Sequence, residues 1–246
     1  MYDPKGNGRD KAVTTVQFLE AEPPVHLRGV VHRFLEIRTP APLSVDYRFH
    51  ALPDACIYIV LDQLDRSVAG VTRLQASSKE LNLGRVFHFT NIRFLPGVWQ
   101  ANDGQVSHGL VKTAYAGDLT LLALNQTLKG VDFATKQAAL SQFVEGLLER
   151  KRVIANPVTQ KIFQHLDDIH SVADMAAAAG LSTRQLQRVL KTTAGFAPHD
   201  LLKVLRLQQS LDGDPSPSYA DQSHFIHAFR KATGYTPGRY VKKFDV

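Results

Sequence analysis

The chain has 246 residues, 44% of them hydrophobic, a formal charge of +6 from 29 basic against 23 acidic residues, and a single cysteine. That is enough apolar surface for one large core or two ordinary ones. It excludes an internal disulfide, and no run approaches the roughly 20 apolar residues of a membrane span. The opening stretch MYDPKGNGRDKAVTT has no apolar core of a signal peptide, so a cytoplasmic protein with no membrane partner is expected.

Up to about residue 124 the runs VVHRFLEI, CIYIVL, VFHFTNIRFL and DLTLLAL read as strands, separated by turn signals such as Pro23-Pro24, Pro53-Asp54 and Pro96-Gly97. A β-rich domain over 1–124 is expected, with Cys56 as a buried thiol. Helical spacing then takes over. In TKQAALSQFVEGLLERKR, Ala139, Phe143, Leu147 and Leu148 form one stripe, which packs on its own domain or against a second copy of the chain. This gives a helical connector over 125–156. Asn156-Pro157 breaks the pattern and opens a further helix, VTQKIFQHLDDI, at the head of a third region, 157–246.

Within that region Ser171 can cap VADMAAAA, with Val172, Met175 and Ala176 facing inward, and Gly180 permits the left-handed turn that ends it. Ser182 and Gln185 then have capping-box spacing at the start of a second helix, whose buried edge is Leu186, Val189 and Leu190. Two short helices joined through glycine make a helix-turn-helix. The outer face of the second helix carries Arg184, Gln187, Arg188 and Lys191, with no acidic residue between Ser182 and Thr193. An ordinary surface helix mixes both signs. Arginine can grip guanine, glutamine adenine and lysine phosphate, so this face suits the major groove.

The stretch LKTTAGFAP from Leu190 to Pro198 recurs as FRKATGYTP from Phe229 to Pro237, a shift of 39. A repeated helix end implies two copies of one unit, joined by HDLLKVLRLQQSL. Charge supports the second copy, since no glutamate follows Glu149, and Arg230, Lys231, Arg239, Lys242 and Lys243 stand between Asp221 and Asp245 with no acid among them.

With DQSHF at Asp221 to Phe225, Phe229-Arg230, and GYTPGRY from Gly234 to Tyr240, residues 157 to 242 resemble the DNA-binding half of the AraC/XylS family of transcription regulators. The likeness implies a tandem helix-turn-helix whose second reader presents Gln222, Ser223, His224 and His227, with Arg230 and Lys231 beside phosphate. Many relatives carry arginine where this chain has His227, so a contact there would be weaker or pH-dependent. LPDACIYIVL, NIRFLPGVW and the connector are similar to the sensor domain of a subgroup of these regulators. In the wider family such domains are often barrel-like and bind a small effector or mediate dimerisation.

One departure is internal to the sequence. The first unit runs from Ser171 to Gly195, so the second should begin near Ser210, where the chain reads SLDGDPSPS. Such a stretch cannot form a supporting helix. Either about a dozen residues are absent there, judged by helix-unit size, or the second unit lacks its first helix; the intact DQSHF motif favours absence.

Other chemistry has little footing. His26, His32, His50, His88 and His108 form no metal-ligand spacing, and His224 with His227 suits DNA contact better than metal. No nucleophile elbow, P-loop or dinucleotide fingerprint occurs. The expectation is therefore an α+β protein: a β-rich, barrel-like N-terminal domain, then an all-α domain with two helix-turn-helix units. It would bind double-stranded DNA as a transcription regulator, with no catalytic residue, no metal and no cofactor. RNA polymerase, an unidentified small effector and a second copy of the chain are further candidate partners. The alternatives are an interaction protein that does not bind DNA and a metal-dependent barrel enzyme.

Overall fold

The N-terminal half is built of strands: β1 (Asn7–Asp10), β2 (Gln17–Ala21), β3 (Val31–Arg38), β4 (Tyr47–Ala51), β5 (Ile57–Asp62), β6 (Ala69–Thr72), β7 (Lys79–Gly84), β8 (His88–Phe94) and β9 (Val106–Ser107). The computed structural model describes residues 2–72, 74–100, 110–211 and 222–246, and the backbone alone at 106–107. Six strands form one sheet in the order β2-β3-β8-β5-β6-β9, antiparallel except for the β6–β9 pair. Three others join a short strand from the end of the chain, β10 (Phe244–Asp245), in the order β10-β1-β4-β7. The two sheets do not close on each other, which corrects the barrel-like expectation. The α+β class stands.

Period-2 alternation gives β8 two working faces. Ile92 and Phe94, both fully buried, share one core with Leu140, Phe143, Val144 and Leu147 of α2 (Phe133–Glu149). The apolar stripe of that helix thus belongs to the core beneath the six-stranded sheet. Lys136 bolts it down, its Nζ 2.6 Å from Glu36 Oε2 and 3.2 Å from Thr90 Oγ1, while His88 Nε2 lies 3.2 Å from Glu36 Oε1. Burial alone would raise the Glu36 pKa, but His88 and Lys136 hold it down to about 2.

DLTLLAL is not a strand. Leu121 opens α1 (Leu121–Thr127), in which Leu121 and Leu124 are buried together with Leu128 just beyond it. The spacing i, i+3, i+7 is helical, and leucine, unlike the β-branched residues, favours a helix.

The remaining helices are α3 (Pro157–Gln164), α4 (Val172–Ala179), α5 (Thr183–Thr193), α6 (Pro198–Leu211), α7 (Gln222–Thr233) and α8 (Pro237–Lys243). Residues 212–221, which hold most of the SLDGDPSPS stretch and Asp221, lie outside the described residues, as does His108.

Both ends of the chain tie the halves together. Tyr2 stacks on Phe163 of α3 with ring centroids 4.4 Å apart and donates its hydroxyl to the Asp54 carbonyl at 2.9 Å. At the other end β10 pairs antiparallel with β1, and Phe244 joins Leu52, Leu207, Phe229 and Tyr240 in one cluster. A strand inside a region expected to be all-α was not foreseen.

Candidate nucleic-acid interface

Helix α4 starts where Ser171 Oγ accepts the Asp174 amide at 3.2 Å, and ends at Gly180, whose φ of 69° a side chain would resist. The Leu181 amide closes that end by donating to Ala176 O at 2.9 Å. Helix α5 follows with the full reciprocal cap, Ser182 Oγ accepting the Gln185 amide at 3.3 Å and Gln185 Oε1 accepting the Ser182 amide at 2.9 Å. Leu186 and Leu190 bury α5 against Met175, Ala176 and Ala179 of α4 and against α6. One face is thereby fixed inward and the other outward.

On that outer face Arg184, Gln187, Arg188 and Lys191 are all exposed, and among the described residues none of the three cations is paired with a carboxylate. The positive field of α5 is therefore open to solvent and to a polyanion. Helix α7 is anchored by Phe229 and Thr233, and Thr233 Oγ1 donates to Phe229 O at 2.8 Å. Gln222, Ser223, His224, His227, Arg230 and Lys231 are exposed on it. All ten residues singled out from the sequence thus lie on the surfaces of two helices. They are joined by α6, whose Leu201, Leu202, Val204, Leu205 and Leu207 are buried.

Asn156 and Gln208 also connect this region to the β-rich half, and the sequence did not show either link. Asn156 caps α3 by accepting the Val158 amide at 3.0 Å, while its Nδ2 donates to Gly97 O at 3.0 Å and to Thr193 Oγ1 of α5 at 2.9 Å. Gln208, buried on α6, donates to Pro53 O at 2.8 Å and Lys5 O at 3.1 Å, and accepts the Lys5 amide at 2.7 Å. The Asn-Pro signal marked a helix start but gave no sign of these long-range bonds.

Between the two sheets lies a cavity of about 130 Å³. Its floor is the second face of β8, Phe89, Asn91 and Arg93, flanked by Ile37 opposite Phe89 and by Tyr58 opposite Arg93. Its roof includes Phe49, Leu81 and Leu83. Phe89 and Arg93 sit four residues apart on one strand, so the cavity runs from an apolar end to a polar one over about 13 Å at strand rise. Among the described residues no group of three histidine, cysteine or acidic side chains converges on a common point.

No family model matches the chain. It is 27% identical over 119 residues to the HTH-type transcriptional regulator MtrA of Neisseria gonorrhoeae, covering 44% of this chain and 38% of that protein. It is 28% identical over 128 residues to the probable transcriptional regulator LumQ of Photobacterium leiognathi, covering 48% of this chain and 51% of that protein. The matches thus span about half or less of the length of these curated relatives. Similarity to two proteins named as transcriptional regulators is consistent with an AraC-type regulator.

Proposed function

We propose that this chain is a sequence-specific DNA-binding transcription regulator of the AraC type, with α5 as its first reader, α7 as its second, and a β-rich half that responds to a small effector. The observation that carries the reading is the outer face of α5, exposed over its length and free of acidic residues. Arg184 and Arg188 would take guanine edges, Gln187 adenine and Lys191 phosphate. On α7, Gln222, Ser223, His224 and His227 would meet the next major-groove face about 34 Å along the duplex, with Arg230 and Lys231 on phosphate and α6 setting the spacing.

The mechanism is binding, with no bond made or broken, in the cytoplasm where the DNA is. The division into a sensor (1–124), a connector (125–156) and a reader (157–246) belongs to the same reading. An effector between the sheets would act on the reader through the two ties described above: the Gly97–Asn156–Thr193 hydrogen bonds and the grip of Gln208 on Lys5 and Pro53.

The test is selection of fragmented genomic DNA by the purified protein at two salt concentrations, beside an Arg184→Ala, Arg188→Ala double variant. A shared sequence spanning two major-groove turns should be enriched, and each lost base contact should cost about 1 to 3 kcal/mol. Binding that is uniform across sequences and disappears with salt would refute specific recognition and leave a protein whose partners are other than DNA.

A further inference from the structure

We infer that the cavity between the sheets takes a small organic monocarboxylate, its carboxylate held by Arg93 and Asn91 and its apolar body lying against Phe18, Ile37, Phe49 and Phe89. This deepens the effector reading above and rests on it for the regulatory consequence; the ligand chemistry comes from the cavity itself.

Arg93 is the first reason. Its side chain is 4% exposed, yet it makes no hydrogen bond among the described residues, and its buried Nε has no partner. The nearest carboxylate oxygen, Glu20 Oε2, is 3.7 Å from NH2, too far for a hydrogen bond. Asp54, the other acid at this end, is already engaged, its Oδ1 by the Cys56 amide at 3.0 Å and its Oδ2 by the Tyr58 hydroxyl. Burial also raises the Asp54 pKa, although Arg93 and Tyr58 oppose the rise. A buried guanidinium whose five donors meet no hydrogen-bond acceptor among the described residues, with only the longer ion pair to Glu20, is costly. The group whose geometry matches its fork is a carboxylate, which accepts two parallel hydrogen bonds.

The second reason is where the other unpaired polar atoms lie. Nine buried side-chain atoms among the described residues lack a hydrogen-bond partner, and four of them, on Asn7, Gln75, Asn91 and Arg93, belong to residues lining this one cavity. Of the other five, His50 and Tyr240 are ring neighbours 5.6 Å apart and the rest stand singly, so the largest group of unpaired atoms lies where a ligand would sit. A side-chain amide can turn either its NH2 or its oxygen to a ligand, so Asn91, in the middle of the floor, can add a donor beside Arg93.

Size and polarity set the rest. With one water centre needing about 10 to 15 Å³, a cavity of this volume holds on the order of ten waters, and so an organic molecule of about ten to fifteen non-hydrogen atoms. Phe18 pairs with Ile37 and Ile37 with Phe89 across the floor, beneath Phe49, which makes the far end a place for an alkyl chain or an aromatic ring. An amine would set its charge against Arg93, and a polyol would leave hydroxyls against phenylalanine. From Arg93 the chain runs on past the end of β8 to Pro96, whose carbonyl accepts the Thr159 hydroxyl at 2.9 Å, and to Gly97, which Asn156 links to α5. The carboxylate anchor therefore stands on the segment that holds the first reader.

The experiment is calorimetric titration of the full chain with octanoate and 3-phenylpropionate, with 1-octanol and octylamine as matched controls. It is repeated on Arg93→Met and Asn91→Leu, with folding checked by Trp99 emission and thermal melting. At least one carboxylate should bind one-to-one, at least tenfold more tightly than the alcohol, with no amine binding. Its affinity should fall at least tenfold in Arg93→Met and measurably in Asn91→Leu, which carries the test alone if the arginine variant does not fold. Equal affinity for alcohol and carboxylate, carboxylate affinity unchanged in the folded variants, or no carboxylate binding would overturn the inference. Affinity for the selected DNA is measured with and without each compound. Carboxylate binding that leaves DNA affinity untouched keeps the site and removes its regulatory role, whereas a DNA response to the alcohol alone keeps the effector reading and removes the carboxylate.

Discussion

Acid should loosen the C-terminal unit from the four-stranded sheet, with His50 as the group that senses it. The His50 ring is 3% exposed, stacked on Phe244 at 4.7 Å with an interplanar angle of 13°, and edge-on to Tyr235 at 5.6 Å. Burial, and after it the charge of Lys243, lowers its pKa from 6.5 to about 4. The folded value lies below the unfolded one, so the stabilisation is complete above about pH 6.5 and is lost as pH falls toward 4. At pH 5 the unfolded ring is nearly all protonated and the folded ring only about a tenth so. The difference from pH 7 amounts to about 2 kcal/mol, or about 1 to 2 after allowing for solvent near the ring.

The Lys11 amide, which donates to Lys243 O at 2.9 Å across the junction, is the reporter. Its hydrogen-exchange protection should fall about 5- to 30-fold between pH 7 and 5, and His50→Phe should abolish most of that fall while keeping the stack. His32, whose pKa burial and then Arg93 and Arg33 push down to about 3, adds an acid response of its own, so the variant decides the matter. An equal fall in His50→Phe would refute the reasoning.

Two further predictions concern joints in the fold. Lys136→Met leaves Glu36 buried without its closest cation and should cost about 3 to 5 kcal/mol in urea unfolding, whereas the Lys136→Met, Glu36→Gln pair should recover part of it. A cost below about 1 kcal/mol would show that the ion pair does not hold α2 to the sheet. At Gly97, with φ of 78°, an added Cβ would lie 2.7 Å from Asn156 Nδ2 and 3.0 Å from Thr159 Cγ2. Gly97→Ala should therefore cost about 2 kcal/mol or more and weaken DNA binding by disturbing the link to Thr193; an unchanged melting temperature would contradict this.

Local signals read well where side chain and backbone act over a few residues. Ser171, Gly180, Ser182 and Gln185 marked the ends of α4 and α5 because caps depend on neighbours three residues away, and Asn156-Pro157 marked the start of α3 for the same reason. β3, β5 and β8 were legible as β-branched and aromatic runs. The misread run, DLTLLAL, is leucine-rich, and a short apolar stretch does not declare its period. β1 and β10 escaped because each is short and polar in part, and because β10 is defined by a partner more than two hundred residues away. The cavity was hidden for a related reason. Asn91 and Arg93 interrupt VFHFTNIRFL on one face, a pattern visible in the sequence, but only the arrangement of two sheets shows that this face is enclosed.

The pairing of Arg9 with Asp245 also sets an order of events during synthesis. The two strands leave the ribosome more than two hundred residues apart, so β1 can join β4 early while its other edge waits for β10 to emerge. Closing so long a loop is slow, and until it closes one edge of the four-stranded sheet is unpaired and open to a strand of another chain. Through that edge, the aggregation risk of the newborn protein rests on how soon α8 and β10 arrive.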